Sequence, residues 1–143
     1  MAAGGVALVP TVQQLDLFPT YADQAGEKFP GYAEHMSDLF ARRKDTIRSA
    51  HEAGVAVYAG TDAGGVLAHG LIASEVKGLQ EYGLPAYDAL GAASWRARAW
   101  LGHNSTLEEG APADFVVYPE DPLADLRVLT APSRIVLRGR VVR

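Results

Sequence analysis

Val55-Ala56-Val57-Tyr58-Ala59-Gly60-Thr61-Asp62-Ala63-Gly64 is the stretch of this sequence that decides the fold. Its first five residues form a continuous apolar run, which is typical of a strand buried on both faces of a parallel sheet. The glycines around Asp62 predict a turn at the carboxyl end of that strand. Because α/β sheets collect their functional groups at this end, Asp62 is the first candidate for a site residue.

A second apolar run, Val6–Val9, lies upstream and is predicted to pair with the first run in parallel. Between the two runs, a predicted helix ends at Gly54. Its inward positions, at helical spacing, are Tyr32, Met36, Leu39, Phe40, Arg43, Ile47 and Ala50. The stretch Phe18–Phe29 contains proline and glycine with mixed polarity, and we interpret it as a long loop.

Downstream of the glycines, apolar residues at helical spacing from 67 to 79 predict a helix closed by Gly83. Pro85 opens a further predicted helix that continues to Leu101. The pattern then changes to short strands. Phe115–Tyr118 is one strand candidate, and apolar residues on both sides of Arg138–Arg140 predict a hairpin.

Composition narrows the classes of function. The 143 residues are 48% hydrophobic and carry a net charge of -4 without a basic block, so we expect no nucleic-acid partner. No segment reaches the ~18 uninterrupted apolar residues of a membrane span, so we expect no membrane role. The absence of cysteine excludes disulfides and thiolate ligands, which agrees with the cytoplasmic location that we expect. Any metal must be held by His, Asp, Glu or modified side chains.

Asp62 has two interpretations on its chemistry alone. A carboxylate at the end of a buried strand can ligate a divalent metal and accept a proton from the water bound there. It can also simply cap the following helix. A phosphate-binding loop is disfavoured, because neither glycine fingerprint of such loops is present and the carboxylate would repel the anion.

An ordered set of short motifs extends over nearly ninety residues from Gly54 onward. The motifs are Ala53–Val55, Gly60–Gly64, His69–Gly70, Gly83–Pro85, Asp88–Leu90, Leu101–Gly102, Leu107–Gly110, Ala113–Val117, Asp121–Leu123 and Val136–Gly139. Together they resemble the amidohydrolase superfamily, in particular its imidazolonepropionase-like and prolidase-like hydrolases. That resemblance implies an α/β parent fold, a (β/α)8 TIM barrel followed by a small β-sandwich. Residues 1–104 would be its last two strand-helix units, and residues 105–143 part of the sandwich.

The resemblance also implies roles for individual residues. Asp62 matches the family's Asp after the last barrel strand, a metal ligand and the general base toward the attacking water. His69 matches a residue near the mouth of the site, where it would contact substrate; the alternative is a surface histidine at a helix start. The implied cofactor is a divalent metal, with zinc as first choice. The implied substrate is a small amide, cyclic amide or dipeptide.

The sequence departs from the family at its other metal ligands. The family carries a His-x-His pair, whereas no two of His35, His51, His69 and His103 are two residues apart. A complete barrel also takes about 250 residues. We therefore expect the C-terminal portion of a hydrolase, inactive as an isolated chain. The alternative is a non-catalytic module that folds as a homo-oligomer or docks to a separate N-terminal chain, since unpaired sheet edges favour association.

Overall fold

One parallel β-bridge joins the two apolar runs, with Leu8 opposite Val57. The Leu8 N–H donates to the Ala56 carbonyl at 2.8 Å, and the Tyr58 N–H donates to the Leu8 carbonyl at 2.9 Å. The predicted parallel direction is confirmed, but the pairing is a single bridge rather than two full strands. The computed structural model describes all residues from Met1 to Arg143.

Six α-helices account for most of the regular structure. They are α1 (Val12–Leu15), α2 (Phe18–Ala25), α3 (Pro30–Glu52), α4 (Ile72–Glu81), α5 (Ala86–Ala92) and α6 (Trp95–Trp100). The predicted helix before Gly54 is confirmed as α3. The interpretation of Phe18–Phe29 as a loop is wrong, because α2 places Pro19 in its first turn, where the missing N–H has no helical partner to lose.

The predicted helix from Pro85 to Leu101 is divided into α5 and α6. The helices meet tightly, since a Cβ added at Gly91 would lie 2.8 Å from the Arg96 side chain and 3.0 Å from Trp95. Trp100 is 55% exposed and stacks on Tyr58 with ring centroids 4.8 Å apart. Trp100 therefore lies at the surface and not in the core.

The core is centred on the inner face of α4. Its eleven buried residues are Val12, Ile47, Val57, Val76, Leu79, Tyr82, Leu84, Ala89, Ala92, Leu126 and Leu129. The last two lie on a 3-10 turn, Leu126–Thr130, and they attach the C-terminal section to the helices. Helix α4 therefore lies between the two bridged apolar runs on one side and the C-terminal section on the other.

A three-stranded antiparallel sheet forms the C-terminal section, in the order β1 (Phe115–Val117), β2 (Arg134–Leu137) and β3 (Arg140–Val141). Phe115 is opposite Val136, and Val136 is opposite Val141. Arg138 and Gly139 have φ of 51° and 73°, as a two-residue hairpin turn requires. The predicted strand and hairpin are confirmed. None of the helices combines the length and apolar character needed to cross a bilayer.

Gly78→Ala tests the packing of α4 against α1. A Cβ at Gly78 would lie 2.5 Å from Val12 Cγ2, and Val12 is fully buried. We expect the substitution to lower the free energy of unfolding by about 1–3 kcal/mol, the usual cost of overpacking.

Gly31→Ala is the matched control, because Gly31 is also helical and an added Cβ meets nothing within 4 Å. Both changes raise helix propensity, so the difference between them isolates the packing term. Equilibrium urea unfolding of the two variants measures it. Equal stability of the two variants would contradict the tight α1–α4 contact.

Candidate active-site edge

Asp62 lies just beyond the strand end that contains Val57, and its side chain is exposed. Its φ of 49° is in the left-handed region, which aspartate enters more readily than most residues but still uncommonly. It does not cap the next helix: α4 begins at Ile72 and has Leu71 at its N-cap. The capping interpretation is therefore wrong, and the carboxylate remains at the exposed edge.

His69 lies beside the Asp62 loop. A Cβ added at Gly64 would lie 3.4 Å from His69 Cε1 and 3.5 Å from Nε2, so the imidazole covers this glycine. The loop is closed by the Gly64 N–H, which donates to the Leu67 carbonyl at 2.9 Å. His69 therefore lies against Gly64, which follows Asp62 by two residues in the chain. Contact of His69 with substrate stays a prediction.

The turn after the other apolar run belongs to the same edge. Thr11 has φ 50° and ψ 58°, a left-handed conformation that is a clear outlier for a β-branched residue. Val9 approaches Gly60 so closely that a Cβ at Gly60 would lie 2.5 Å from Val9 Cγ1. The two segments therefore touch at Val9 and Gly60. Each of these residues is followed, two positions later, by a residue in the left-handed conformation, Thr11 in one segment and Asp62 in the other.

Glu75 is a buried carboxylate that the sequence interpretation did not single out. It is fully buried and accepts hydrogen bonds from the Val12 N–H at 2.7 Å and the Gln13 N–H at 3.1 Å. Burial raises the pKa of the Glu75 carboxyl, and the two backbone donors oppose that rise. One signal was available: Glu75 falls on the stripe of α4 that also carries Val76 and Leu79, where an unpaired charge would be costly.

A second group of hydrogen-bonded side chains contacts the end of α1, the helix that follows Thr11. The Tyr82 hydroxyl donates to Asp16 Oδ1 at 2.6 Å, and Arg43 Nε donates to the Tyr82 oxygen at 2.7 Å. Burial, followed by the hydrogen bond to Asp16, raises the pKa of the Tyr82 phenol. This cluster ties α3 to the ends of α1 and α4.

The chain does not hold a metal site by itself. No group of three or more His, Asp or Glu side chains is arranged to bind an ion. His51 pairs instead with Asp88, with Nε2 3.3 Å from Oδ2. One carboxylate cannot hold zinc, so Asp62 fits a metal site only as one ligand among others supplied from outside this chain.

The family model for the amidohydrolase family matches residues 5–142. The chain belongs to the amidohydrolase family. Uncharacterized proteins of Mycobacterium tuberculosis and Mycobacterium bovis are 51% identical to it over 140 residues, which is 98% of this chain and 37% of theirs. The chain therefore spans little more than a third of the length of these relatives.

Two solved structures show the same fold over nearly the whole chain. A Xaa-Pro dipeptidase with bound methionine in its active site superposes with a TM-score of 0.82 at 26% identity, covering all of this chain and 36% of that one. A candidate prolidase from Bifidobacterium longum gives 0.80 at 31% identity, covering 95% of this chain and 35% of that one. The resemblance to prolidase-like amidohydrolases is confirmed.

Glu75→Gln tests the protonation of the buried carboxyl. In the folded chain the pKa of Glu75 lies above the ordinary value of 4.5. The protonated carboxyl therefore stabilises the fold fully below pH 4.5, and this contribution is lost as the pH rises through the folded pKa. We expect the wild type to lose stability relative to Glu75→Gln, which does not titrate, as the pH rises above 4.5. Urea unfolding at several pH values measures this difference, and a difference that does not change with pH would contradict the raised pKa.

Proposed function

We propose that this chain forms the C-terminal part of a metal-dependent amidohydrolase that hydrolyses a C–N bond in an amide, cyclic amide or dipeptide. The observation that carries the proposal is an exposed aspartate, Asp62, at the carboxyl end of the parallel-paired segment in a chain of this family. Similarity to a Xaa-Pro dipeptidase favours a dipeptide substrate. In the complete fold, residues 1–104 are the last two strand-helix units of a (β/α)8 barrel, and residues 105–143 belong to a small β-sandwich.

Asp62 is the proton-transfer group of the proposed reaction. An exposed carboxylate at this edge can accept a proton from the attacking water and pass it to the leaving amine. The neighbouring glycines, Gly60 and Gly64, leave room for the substrate backbone to approach. His69, which covers Gly64, contacts the substrate at the mouth of the site.

The proposed cofactor is a divalent metal, with zinc as first choice. Its contribution when bound is to lower the pKa of the attacking water. Asp62 is the one ligand that we assign to this chain. The remaining ligands belong to polypeptide outside these 143 residues.

A chimera tests the role of Asp62. This chain replaces the matching 140 residues of the Mycobacterium tuberculosis relative, and the protein is assayed with zinc on Xaa-Pro dipeptides, N-acyl amino acids and cyclic amides. We expect turnover of at least one class, and we expect Asp62→Asn to lower kcat by about 10²–10⁴-fold, the range for loss of a general base.

Asp121→Asn is the matched control for charge, because Asp121 is exposed in a turn of the C-terminal section, where it accepts a hydrogen bond from the Leu123 N–H. Its turnover should stay close to that of the parent chimera. Unchanged turnover in Asp62→Asn, or no turnover of any of the three classes by the parent chimera, would count against the proposal.

Exposed apolar surface favours association with further polypeptide. A cavity of about 860 Å³ opens between α4–α6 and the three-stranded sheet, and apolar side chains form most of its lining. Phe115, Val116 and Val117 of β1 are 37%, 43% and 41% exposed, although each is apolar. Contiguous exposed apolar surface of this kind often marks a site of protein–protein contact. The same observation favours the second candidate function, a non-catalytic module that associates through this surface.

Native mass measurement tests the association. We expect the purified chain to form a homo-oligomer, or to form a complex when the N-terminal part of the Mycobacterium tuberculosis relative is co-expressed with it. Val116→Lys, in the middle of β1, should weaken either assembly because it places a charge on the apolar face. Lys77→Arg on α4 keeps its charge and is the control. A well-folded monomer under both conditions would contradict the association.

A further inference from the structure

We propose that Glu75 is a positioning residue for the edge that carries Asp62. Its buried carboxylate, rather than the Thr11 side chain, caps α1 and thereby fixes the left-handed Thr11 turn, which directly follows the contact of Val9 with Gly60. The catalytic meaning of this role rests on the proposed function of Asp62, whereas the structural coupling does not.

The first step is an exchange of capping groups. A threonine at the N-cap normally accepts a hydrogen bond from one of the next backbone N–H groups. Thr11 occupies the N-cap of α1 but makes no such bond in its left-handed conformation. Glu75 accepts from Val12 and Gln13 instead, across 63 and 62 residues of chain. A local cap is thus replaced by one that forms only when α4 is in place.

The second step is that α4 holds this turn at several points. In addition to the two bonds of Glu75, Gln13 Nε2 donates to the Ser74 carbonyl at 3.3 Å. Val12 packs where Gly78 leaves no side chain in its way. These contacts offset the free-energy cost of a β-branched residue in the left-handed region, which persists only when its surroundings determine it.

The third step connects the turn to Asp62. The Thr11 turn is continuous with Val9, which packs against Gly60, and Gly60 is two residues before Asp62. In the other direction, the Asp62 loop leads directly into α4, which carries Glu75. Glu75 is therefore connected to the Asp62 segment in two ways, through the Thr11 turn and Val9 and through the chain that joins Asp62 to α4. A change at Glu75 should affect the Asp62 segment through both connections. A helix cap with a purely structural role would change stability without changing the environment of residues 61–64.

Amide hydrogen exchange and amide chemical shifts, measured by NMR on the 143-residue chain, test this coupling. In Glu75→Ala we expect exchange at Val12 and Gln13 to be at least about tenfold faster than in the wild type, because the acceptor of both backbone N–H groups is lost. We also expect the amide resonances of residues 61–64 to shift, while exchange at the buried Leu79 stays slow.

Glu75→Gln keeps one acceptor oxygen and should restore protection at one of the two amides, preferably Val12, whose bond is the shorter. Glu81→Gln is the control, since Glu81 is the exposed last residue of α4. It should leave residues 11–13 and 61–64 at their wild-type positions. If Glu75→Ala does not fold, Glu75→Gln tests the proposal instead. The expected results are then faster exchange at the Gln13 amide and shifted amide resonances at residues 61–64.

The proposal is overturned if residues 61–64 of a folded Glu75 variant keep their wild-type resonances. It is also overturned if, in the folded Glu75→Ala variant, the amides of Val12 and Gln13 exchange no faster than global unfolding allows. Because these measurements require no turnover, they stand or fall separately from the proposed hydrolase activity.

Discussion

The contact of Val9 with Gly60 is the constraint on which the rest of the structure depends. At this point the two apolar segments approach so closely that a single methyl group at Gly60 would meet Val9 at 2.5 Å. One parallel bridge, between Leu8 and Val57, accompanies it. Because so little backbone pairing is present, side-chain packing at the strand ends sets where Thr11 and Asp62 lie relative to each other.

Helix α4 makes that arrangement persist. It supplies the core residues Val76 and Leu79 on one face and, on the same stripe, the carboxylate of Glu75. A buried carboxylate that accepts two backbone hydrogen bonds is directional in a way that an apolar residue is not, so it fixes orientation as well as distance. The exposed edge therefore rests on a buried polar contact, while the Asp62 carboxylate itself remains accessible.

Features that depend on neighbours in the sequence could be predicted from it. The helical spacing of α3, the strand β1, the hairpin and the position of Asp62 after an apolar run are all local patterns. The missed features depend on tertiary packing or position. Proline and glycine in residues 18–29 suggest a loop, but Pro19 lies in the first turn of α2, where a helix tolerates it. The division into α5 and α6 is accompanied by the close approach of Trp95 and Arg96 to Gly91, which is not a local sequence pattern. Glu75 was missed because its partners are more than sixty residues away.

The central claim is that this chain contributes one essential carboxylate to a site that further polypeptide completes. The most direct measurement is elemental analysis of the purified 143-residue chain after incubation with zinc and dialysis, combined with assays on dipeptide, acyl-amino-acid and cyclic amide substrates. The account predicts far less than one zinc per chain and no turnover above the blank. One retained zinc per chain, with turnover that Asp62→Asn abolishes, would contradict it and would mean that copies of this chain assemble a complete site on their own.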